Sequence, residues 1–431
     1  MCRAARIRQQ ITAIFAARQS APRHPQNPPA ILPPFPDPAR LATRLTPQGE
    51  RILRSGHPWL FDGAVEQVKG PGRPGDLAVI FDRKKDRFAG IGLYDPASPI
   101  RVRVLHQGGP VRIDADWFAA RLQAARKLRL PLLKKNTDGY RLVHGENDGL
   151  PGLVVDVYAG VAVVKLYSAV WYPYLDVLLP LIQRTAKAAT VVLRLARVVD
   201  PVGDLTDGAL LAGTLEAPEV TFREHNLKFL SHVVDGHKTG FFLDHRHNRK
   251  RVGELAEGQD VLDVFSYAGG FTVHALAGGA YRVVSLDISA PALELARLNV
   301  ALNFGEDPRH EVVVGDAFQE LERIARRREE FGIVVVDPPS FAKREKEVRG
   351  ALDAYRRINT LAVPLVKPGG ILLAASCSAR VSADDFFATV EKVLKRSGRG
   401  YSLLERTFHD VDHPIGFAEG VYLKAAYYRL D

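Results

Sequence analysis

The stretch "DVLDVFSYAGGFTVHALAGG", residues Asp260–Gly279, decides the fold of the C-terminal half of the chain. It opens with a short apolar run, turns at two glycines and continues in a helical pattern. The same succession recurs when "RVVSLDIS" precedes "APALELARLNVALN", when "EVVVGDAF" precedes "LERIARRREE", and again with "GIVVVDPP" and "GGILLAASCS". Such runs are typical of parallel strands buried on both faces. Their alternation with helices predicts a doubly wound α/β sheet from about Val233 onward.

The last two strand-like runs of the chain, "YSLLERTF" and "VYLKAAYYRL", have no long helical pattern between them. Parallel neighbours need a long crossover connection, whereas antiparallel neighbours do not. We therefore expect the mostly parallel sheet to end in an antiparallel hairpin at one edge.

The N-terminal half divides into three further segments. Residues 1–40 form a basic extension with no Asp or Glu before Asp37, for which we expect disorder, with an organelle transit peptide as the alternative. Residues 41–109 contain short strand patterns between Gly/Pro turns, which favours a small β-barrel. Residues 110–232 read as an α+β region, in which Asp114 or Asp116 could cap the first helix. Residues 233–431 are the α/β domain.

Composition narrows the class of protein. A formal charge of +10 favours a polyanionic partner, nucleic acid before a membrane surface. Two cysteines, Cys2 and Cys377, cannot build a disulfide framework, and no Cys/His cluster predicts a metal. The cysteine usage fits a reducing cytoplasm. No run of about 18 apolar residues predicts a membrane span. The oligomeric state stays open, a homodimer included.

The carboxyl ends of the predicted strands carry a series of acids. Ligands in such sheets bind beyond these strand ends. Gly269 and Gly270 allow a ligand to approach the backbone, and Asp287, Asp316 and Asp337 end the next strands. A dinucleotide site after the first strand would need GxGxxG, which "SYAGGF" does not supply, and its pyrophosphate would be repelled by these acids. An adenosine without phosphates suits them, which indicates S-adenosylmethionine and hence a methyltransferase.

The chain closely resembles one family over about residues 41–431. The stretches that carry the likeness are "GHPWLFDGAV", "PIRVRVL", "RLVHGENDGLPGLVVD", "GHKTGFFLDHRHNR", "DVFSYAGGFT", "VVVDPPSFAK", "SCS" and "DHPIGFAEGVYLK". They resemble the PUA-domain-containing class I methyltransferases that modify cytosine C5 in large-subunit (23S) ribosomal RNA. The resemblance implies a PUA-like barrel at residues 41–109 and a Rossmann-like S-adenosylmethionine domain at residues 233–431.

The resemblance also implies roles for particular residues. Cytosine C5 is a poor nucleophile, so a thiolate must first add to C6. An acid or hydrogen-bond donor at N3 stabilises the charge that develops there. Cys377 is the implied nucleophile and Asp337 the implied partner of N3. The implied cofactor residues are Phe265, Tyr267, Gly269, Gly270, Asp287, Asp316, Asp337 and Arg246, and the implied RNA-contacting residues are Pro338, Pro339, Phe341, Lys238, Arg101 and Arg103.

Several alternatives stay open at this point. An Asp-Pro-Pro turn followed by an aromatic residue also resembles the turn of enzymes that methylate guanine or adenine nitrogens. A non-catalytic RNA-binding or ribosome-assembly protein is a third possibility. Arg101 and Arg103 alternate with valines and share a strand face, which is either a solvated face or an RNA contact. Lys238 and Arg246 have two open interpretations: they either bind a ligand or form salt bridges.

Overall fold

The computed structural model of the protein describes residues 28–84 and 86–431. The arginine-rich part of the predicted extension lies outside the described residues. Residues 28–39 have no regular secondary structure. We expected this segment to be disordered, but it makes contacts with the rest of the first unit. Ala30 N donates to Leu210 O at 2.7 Å, and the ring of Phe35 stacks on Tyr172 with centroids 5.8 Å apart.

The chain divides into two compact units. The described part of the first unit covers residues 28–84, 86–223, 231–243 and 411–417, and the second covers residues 224–230, 244–410 and 418–431. The predicted boundary at 109/110 falls inside the first unit, because Leu77 and Ile91 share a core with Phe118 and Leu122. Among the described residues, no helix has the length and apolarity to cross a bilayer.

The first unit contains two sheets. The first has six strands in the order β2-β6-β5-β4-β1-β3, and only the β1–β4 pair is parallel. The strands are β1 Arg40–Leu45, β2 Trp59–Phe61, β3 Val65–Val68, β4 Leu77–Phe81, β5 Phe88–Tyr94 and β6 Ile100–Gln107, with helix α1 at Pro47–Arg54. Side chains of this sheet form a small hydrophobic core that includes Leu45, Leu60, Ile80 and Val102.

The second sheet of this unit confirms the expected α+β region. Its five strands run in the order β11-β10-β9-β8-β7, and β7, β8 and β9 form an antiparallel meander. The elements are α2 Ala115–Leu133, β7 Gly139–His144, β8 Leu153–Tyr158, β9 Val161–Leu166, α3 Leu175–Ala186, β10 Thr190–Leu195 and β11 Leu210–Ala212. A two-stranded sheet follows, β12 Glu219–Glu224 and β13 Leu227–His232, in which the chain passes from one unit to the other.

The second unit contains the predicted α/β sheet, although residues 233–243 and 411–417 of the predicted domain belong to the first unit. Its seven-stranded sheet has the order β16-β15-β14-β17-β18-β20-β19, parallel from β16 to β18 and antiparallel at β20 and β19. The elements are α4 Arg246–Leu255, β14 Asp260–Val264, α5 Gly270–Ala277, β15 Arg282–Asp287, α6 Ala290–Phe304, β16 His310–Val314, α7 Ala317–Arg326, β17 Phe331–Val336, α8 Val348–Ala362, β18 Val366–Ser376, α9 Ala383–Arg396, β19 Tyr401–Thr407 and β20 Lys424–Leu430. The parallel sheet and the edge hairpin are both confirmed.

The strand sequences explain this arrangement. Every residue of β17 is buried, as in a central strand covered on both faces. The order of strands along the sheet reverses between β14 and β17, and this point is where open α/β sheets bind ligands. The residues that follow β14, β15, β17 and β18 therefore lie at one edge of the sheet.

The cap of α2 gives a first test. Asp114 accepts a hydrogen bond from Trp117 N at 3.1 Å, which identifies it rather than Asp116 as the N-cap. We expect Asp114→Ala to destabilise the first unit by about 1 kcal/mol and to lower its urea midpoint. All three tryptophans, Trp59, Trp117 and Trp171, belong to this unit, so tryptophan fluorescence reports on it. An equal effect of Asp116→Ala, the matched control, would contradict the assignment.

Candidate active site

Two strand ends place an acid and a thiol side by side. β17 and β18 pair in parallel, with Val336 opposite Ala374. Asp337 follows the first strand directly and Cys377 the second, so both emerge at the same edge of the sheet. Cys377 Sγ lies 3.8 Å from the carbonyl oxygen of Pro338, within reach of a weak S–H···O contact. The structure thus brings together the two residues predicted to be catalytic.

A cluster of hydroxyl groups joins these two strand ends. Ser340 Oγ lies 2.9 Å from Ser378 Oγ, and the buried hydroxyl of Tyr355 lies 2.8 Å from Ser376 Oγ and 3.0 Å from Ser378 Oγ. Burial raises the pKa of Tyr355, and the negative charges of Cys377 and Asp337 add to that shift while the two serine hydroxyls oppose it. The phenol therefore stays protonated at neutral pH and holds the residues flanking Cys377 in place.

A buried histidine contacts Asp337. His245 Nε2 lies 3.2 Å from Asp337 Oδ1, although the angle falls short of a well-formed hydrogen bond. The Oδ1 of Asn248 accepts from Thr407 Oγ1 at 2.6 Å and from Tyr427 OH at 3.1 Å. The amide Nδ2 of Asn248 is therefore the atom that faces His245 Nδ1, at 3.1 Å. This arrangement makes Nδ1 an acceptor and leaves the imidazole proton on Nε2, facing the carboxylate.

The turn after β14 is built from left-handed residues. Phe265, Tyr267 and Gly269 have φ angles of 65°, 47° and 71°, a region that non-glycine residues rarely adopt. Asp287 holds this turn, since its Oδ2 accepts from Tyr267 N at 3.0 Å and its Oδ1 from Ser289 N at 2.8 Å. A Cβ at Gly269 would lie 2.8 Å from the Cβ of Ala296, so only glycine fits there. Strained backbone of this kind is concentrated at ligand sites.

Buried polar atoms at the same strand ends fit a polar ligand. Among the described residues, Asp263 Oδ1 and Ser266 Oγ are buried and have no hydrogen-bond partner. Burial raises the pKa of Asp263 to about 7; Thr272 opposes this shift through its hydrogen bonds, and the charges of Asp337 and Asp287 add to it. Unpartnered buried groups and a perturbed acid in one crevice are typical of a binding site.

Two further residues border this crevice. Asp316 is the N-cap of α7 and accepts from Gln319 N at 3.2 Å, so it has a structural task whether or not it also contacts a ligand. Ile288, which follows Asp287, is 71% exposed despite being aliphatic. Exposed apolar surface beside a polar crevice suits the face of a flat heterocycle such as adenine. Ile288 was not among the residues predicted from the sequence, although an isoleucine after a strand-end acid is a readable signal.

The predicted substrate residues near Asp337 differ in exposure. Pro338 is buried, Pro339 is exposed, and Phe341 is half-buried. The ring of Phe341 packs edge-on against Tyr355 with centroids 5.0 Å apart. Part of the Phe341 ring is therefore in contact with the protein, and a base could stack only on its remaining surface.

The structure does not support the ligand roles of Arg246 and Arg103. Arg246 is fully buried, with Nε 3.4 Å from Glu224 and Nη1 3.3 Å from Asp410. Arg103 is buried in the first unit, where its Nη1 lies 3.2 Å from Asp95. In each case an acid distant or offset in sequence neutralises the guanidinium.

The other two predicted cations also lie in the first unit. Arg101 is largely buried and pairs with the exposed Asp62 at 2.6 Å, so it is not an isolated phosphate contact. Lys238 has a left-handed backbone (φ 57°), and its ammonium lies 4.3 Å from the centroid of the Phe242 ring. An RNA contact by either residue stays a prediction.

Comparisons with known proteins agree with this geometry. Residues 141–420 match the model of the S-adenosylmethionine-dependent methyltransferases, and residues 44–107 match a PUA-like domain. The chain is similar to a protein of Deinococcus radiodurans named ribosomal RNA large subunit methyltransferase, at 46% identity over 91% of this chain and 98% of the relative. A relative from Alteromonas mediterranea, named ribosomal RNA large subunit methyltransferase I, is 36% identical over 88% of this chain and 96% of its own.

A solved structure shares the fold. A chain described as a SAM-dependent methyltransferase from Streptococcus mutans superposes with a TM-score of 0.76 at 20% identity, covering 91% of this chain and 100% of its own. The strand order and the match to the family model define a Rossmann-like methyltransferase. The chain belongs to the S-adenosylmethionine-dependent methyltransferase family, with a PUA-like domain near its N-terminus. The predicted PUA-like domain, the methyltransferase fold and the cofactor are thereby confirmed.

The buried ion pairs around Glu224 give a second test. Glu224 accepts from Arg249 at 2.7 and 2.5 Å and from His274 at 3.0 Å, and it lies close to Arg246. Burial alone would raise the pKa of Glu224, but the charge and hydrogen bonds of Arg249, His274 and Arg246 hold it well below 4.5. Because the folded-state pKa is depressed, the carboxylate stabilises the fold above about pH 4.5, and this contribution is lost as the pH falls.

We expect Glu224→Gln to destabilise the second unit by about 3 kcal/mol at pH 7, because buried cations lose their counter-charge. Hydrogen exchange of α4 and α5 should become faster, and the loss of stability on acidification should become shallower. The exposed Glu322→Gln serves as the matched control. Unchanged exchange in α4 and α5 of the Glu224 variant would contradict a stabilising role of this cluster.

Proposed function

We propose that the protein transfers a methyl group from S-adenosylmethionine to C5 of a cytosine in large-subunit ribosomal RNA, through a transient bond between Cys377 and C6. The observation that carries this proposal is the position of Cys377, whose Sγ lies 3.8 Å from the Pro338 carbonyl in the turn that also holds Asp337. Cys377 is the only cysteine in the sequence after Cys2. The names of the relatives support the ribosomal RNA substrate.

Different residues at the strand ends contribute different contacts to cofactor binding. Gly269 and the left-handed turn before it allow close approach of the ligand, and Asp287 fixes that turn. The unpartnered atoms of Asp263 and Ser266 supply polar contacts, and Ile288 supplies apolar surface. S-adenosylmethionine, when bound, supplies the electrophilic methyl group.

The covalent mechanism begins with the Cys377 thiolate and ends with its release. The Cys377 thiolate adds to C6 of cytosine, and the C5–C6 π electrons move toward C5 and the N3 side of the ring, where Asp337 must take up a proton when the base binds in order to donate to N3. C5 is then nucleophilic enough to take the methyl group. Loss of the C5 proton to a base, return of the N3 proton to Asp337 and cleavage of the C6–S bond restore the aromatic ring and the thiolate.

The target base must leave its stack to reach this edge of the sheet, which is the general requirement for chemistry on a base in structured RNA. We infer that the PUA-like domain contributes contacts of shape and backbone, which position the RNA without reading its sequence. A ribosomal RNA substrate agrees with a location in the cytoplasm, and this location stays a prediction.

Replacement of the thiol tests the covalent mechanism. We expect Cys377→Ala to reduce methyl transfer by at least about 10³-fold, because no nucleophile remains for C6, while calorimetry shows unchanged binding of S-adenosylmethionine. Cys2→Ala is the matched control and should retain activity. Full activity of Cys377→Ala would favour methylation of a guanine or adenine nitrogen at the Asp-Pro-Pro turn. Clear RNA binding by the wild-type protein without cofactor binding would favour a non-catalytic role.

The substrate is tested separately in cells. We expect ribosomal RNA from a deletion strain to lose one 5-methylcytosine of the large subunit, seen by bisulfite sequencing and by mass mapping. Complementation with the wild-type gene should restore it, and complementation with the Cys377→Ala gene should not. Loss of a methylated purine instead would overturn the assignment of cytosine.

A further inference from the structure

A buried lysine contacts the segment that contains Cys377. Lys424, the first residue of β20, is opposite Ser376 in the antiparallel pair with β18 and is completely buried. Its ammonium donates to the carbonyl oxygens of Ser378 at 2.5 Å, Val381 at 2.6 Å and Tyr422 at 3.2 Å. These three bonds use all three N–H donors of the side chain.

No carboxylate compensates this buried charge. Among the described residues, Lys424 forms hydrogen bonds only to backbone carbonyls, and its charge interacts with one anionic group, the thiolate of Cys377. Burial lowers the pKa of Lys424 to about 8, and the Cys377 thiolate acts in the opposite direction. Carbonyl dipoles keep the ammonium in place, but a buried lysine without an acid is costly, which indicates that the charge serves a purpose.

Lys424, Tyr355 and Asp337 lie near the segment that contains Cys377, each on a different element. Lys424 approaches from β20, Tyr355 from α8 and Asp337 from the turn after β17. Tyr355 is neutral at physiological pH, because burial raises its pKa. A charged Asp337 disfavours a second negative charge nearby, so Lys424 is the one group of the three that favours the thiolate.

We propose that Lys424 is a positioning residue that stabilises the thiolate of Cys377 and fixes the segment that follows it. This role rests on the proposed function, because the thiolate that Lys424 stabilises is the proposed nucleophile for C6. Lys424 acts through its charge rather than by donating to sulfur, because its three donors are engaged with carbonyls. Below about pH 8 the ammonium carries its charge, and that charge favours the thiolate.

The test measures alkylation of Cys377 by iodoacetamide against pH, read by mass spectrometry of the peptide that contains it. Only the thiolate reacts, so the rate follows its fraction. We expect Lys424→Gln, which is neutral but keeps two donors, to move the midpoint up by about one pH unit and to slow alkylation about tenfold near pH 7. Lys424→Arg should retain the wild-type midpoint, as should Lys392→Met, an exposed lysine of α9.

A purely structural lysine would give a different result. Lys424→Gln would then alter the overall rate at every pH without moving the midpoint, and this outcome overturns the proposal. If the Lys424 variants do not fold, the reciprocal measurement decides. In Cys377→Ala, the ammonium of Lys424, followed by ¹⁵N-lysine NMR, should titrate at lower pH than in the wild type, because the thiolate no longer supports it. An unchanged titration also overturns the proposal.

Alkylation requires neither RNA nor methyl transfer, so the two proposals fail independently. An active Cys377→Ala variant would overturn the covalent mechanism while a shifted alkylation midpoint still showed the coupling of lysine and thiol. An unshifted midpoint together with an inactive Cys377→Ala variant would leave the covalent mechanism in place and remove Lys424 from it.

Discussion

The parallel pairing of β17 with β18 is the constraint on which the rest of the site depends. Parallel strands carry their carboxyl ends to one edge, so a single register, with Val336 opposite Ala374, sets the distance between Asp337 and Cys377. A slip of one residue would turn every side chain of the strand to the other face. The hydroxyl groups of Ser340, Ser378 and Tyr355 then join the two segments beyond the strand ends.

Buried polar groups around this edge act in two opposite ways. The Asn248–His245 pair places an imidazole proton toward Asp337, and the three carbonyls around Lys424 hold a positive charge near Cys377. Asp263, in contrast, is buried with an unpartnered oxygen and a raised pKa. The carbonyls around Lys424 engage its donors within the protein, whereas His245 Nε2 and Asp263 Oδ1 are buried and form no hydrogen bond among the described residues.

Local patterns in the sequence were sufficient to predict the parallel sheet, its edge hairpin and the proximity of Asp337 to Cys377. Continuous apolar runs such as "GIVVVDPP" predicted the buried parallel strands, the absence of a helix before "VYLKAAYYRL" predicted the edge hairpin, and strand-end position placed Asp337 near Cys377. These features depend on neighbouring residues and on periodicity, which a sequence displays directly.

Features that depend on distant partners were missed. The burial of Arg246 is decided by Glu224 and Asp410, and nothing in its local sequence distinguishes it from a surface arginine. Lys424 and Tyr355 meet the residues around Cys377 only through the sheet and through packing of α8. The one readable signal was the lysine at the start of the apolar run "KAAYY", where a charge is costly unless it has a task.

The most direct measurement of the central claim uses RNA that contains 5-fluorocytosine at the target position. After C6 attack and methylation, this base has no C5 proton to lose, so the bond to the enzyme cannot be cleaved by elimination. The account predicts an RNA–protein adduct that survives denaturation, requires S-adenosylmethionine and maps by mass spectrometry to Cys377. Methyl transfer to a nitrogen of the RNA, with no adduct at Cys377, would contradict it.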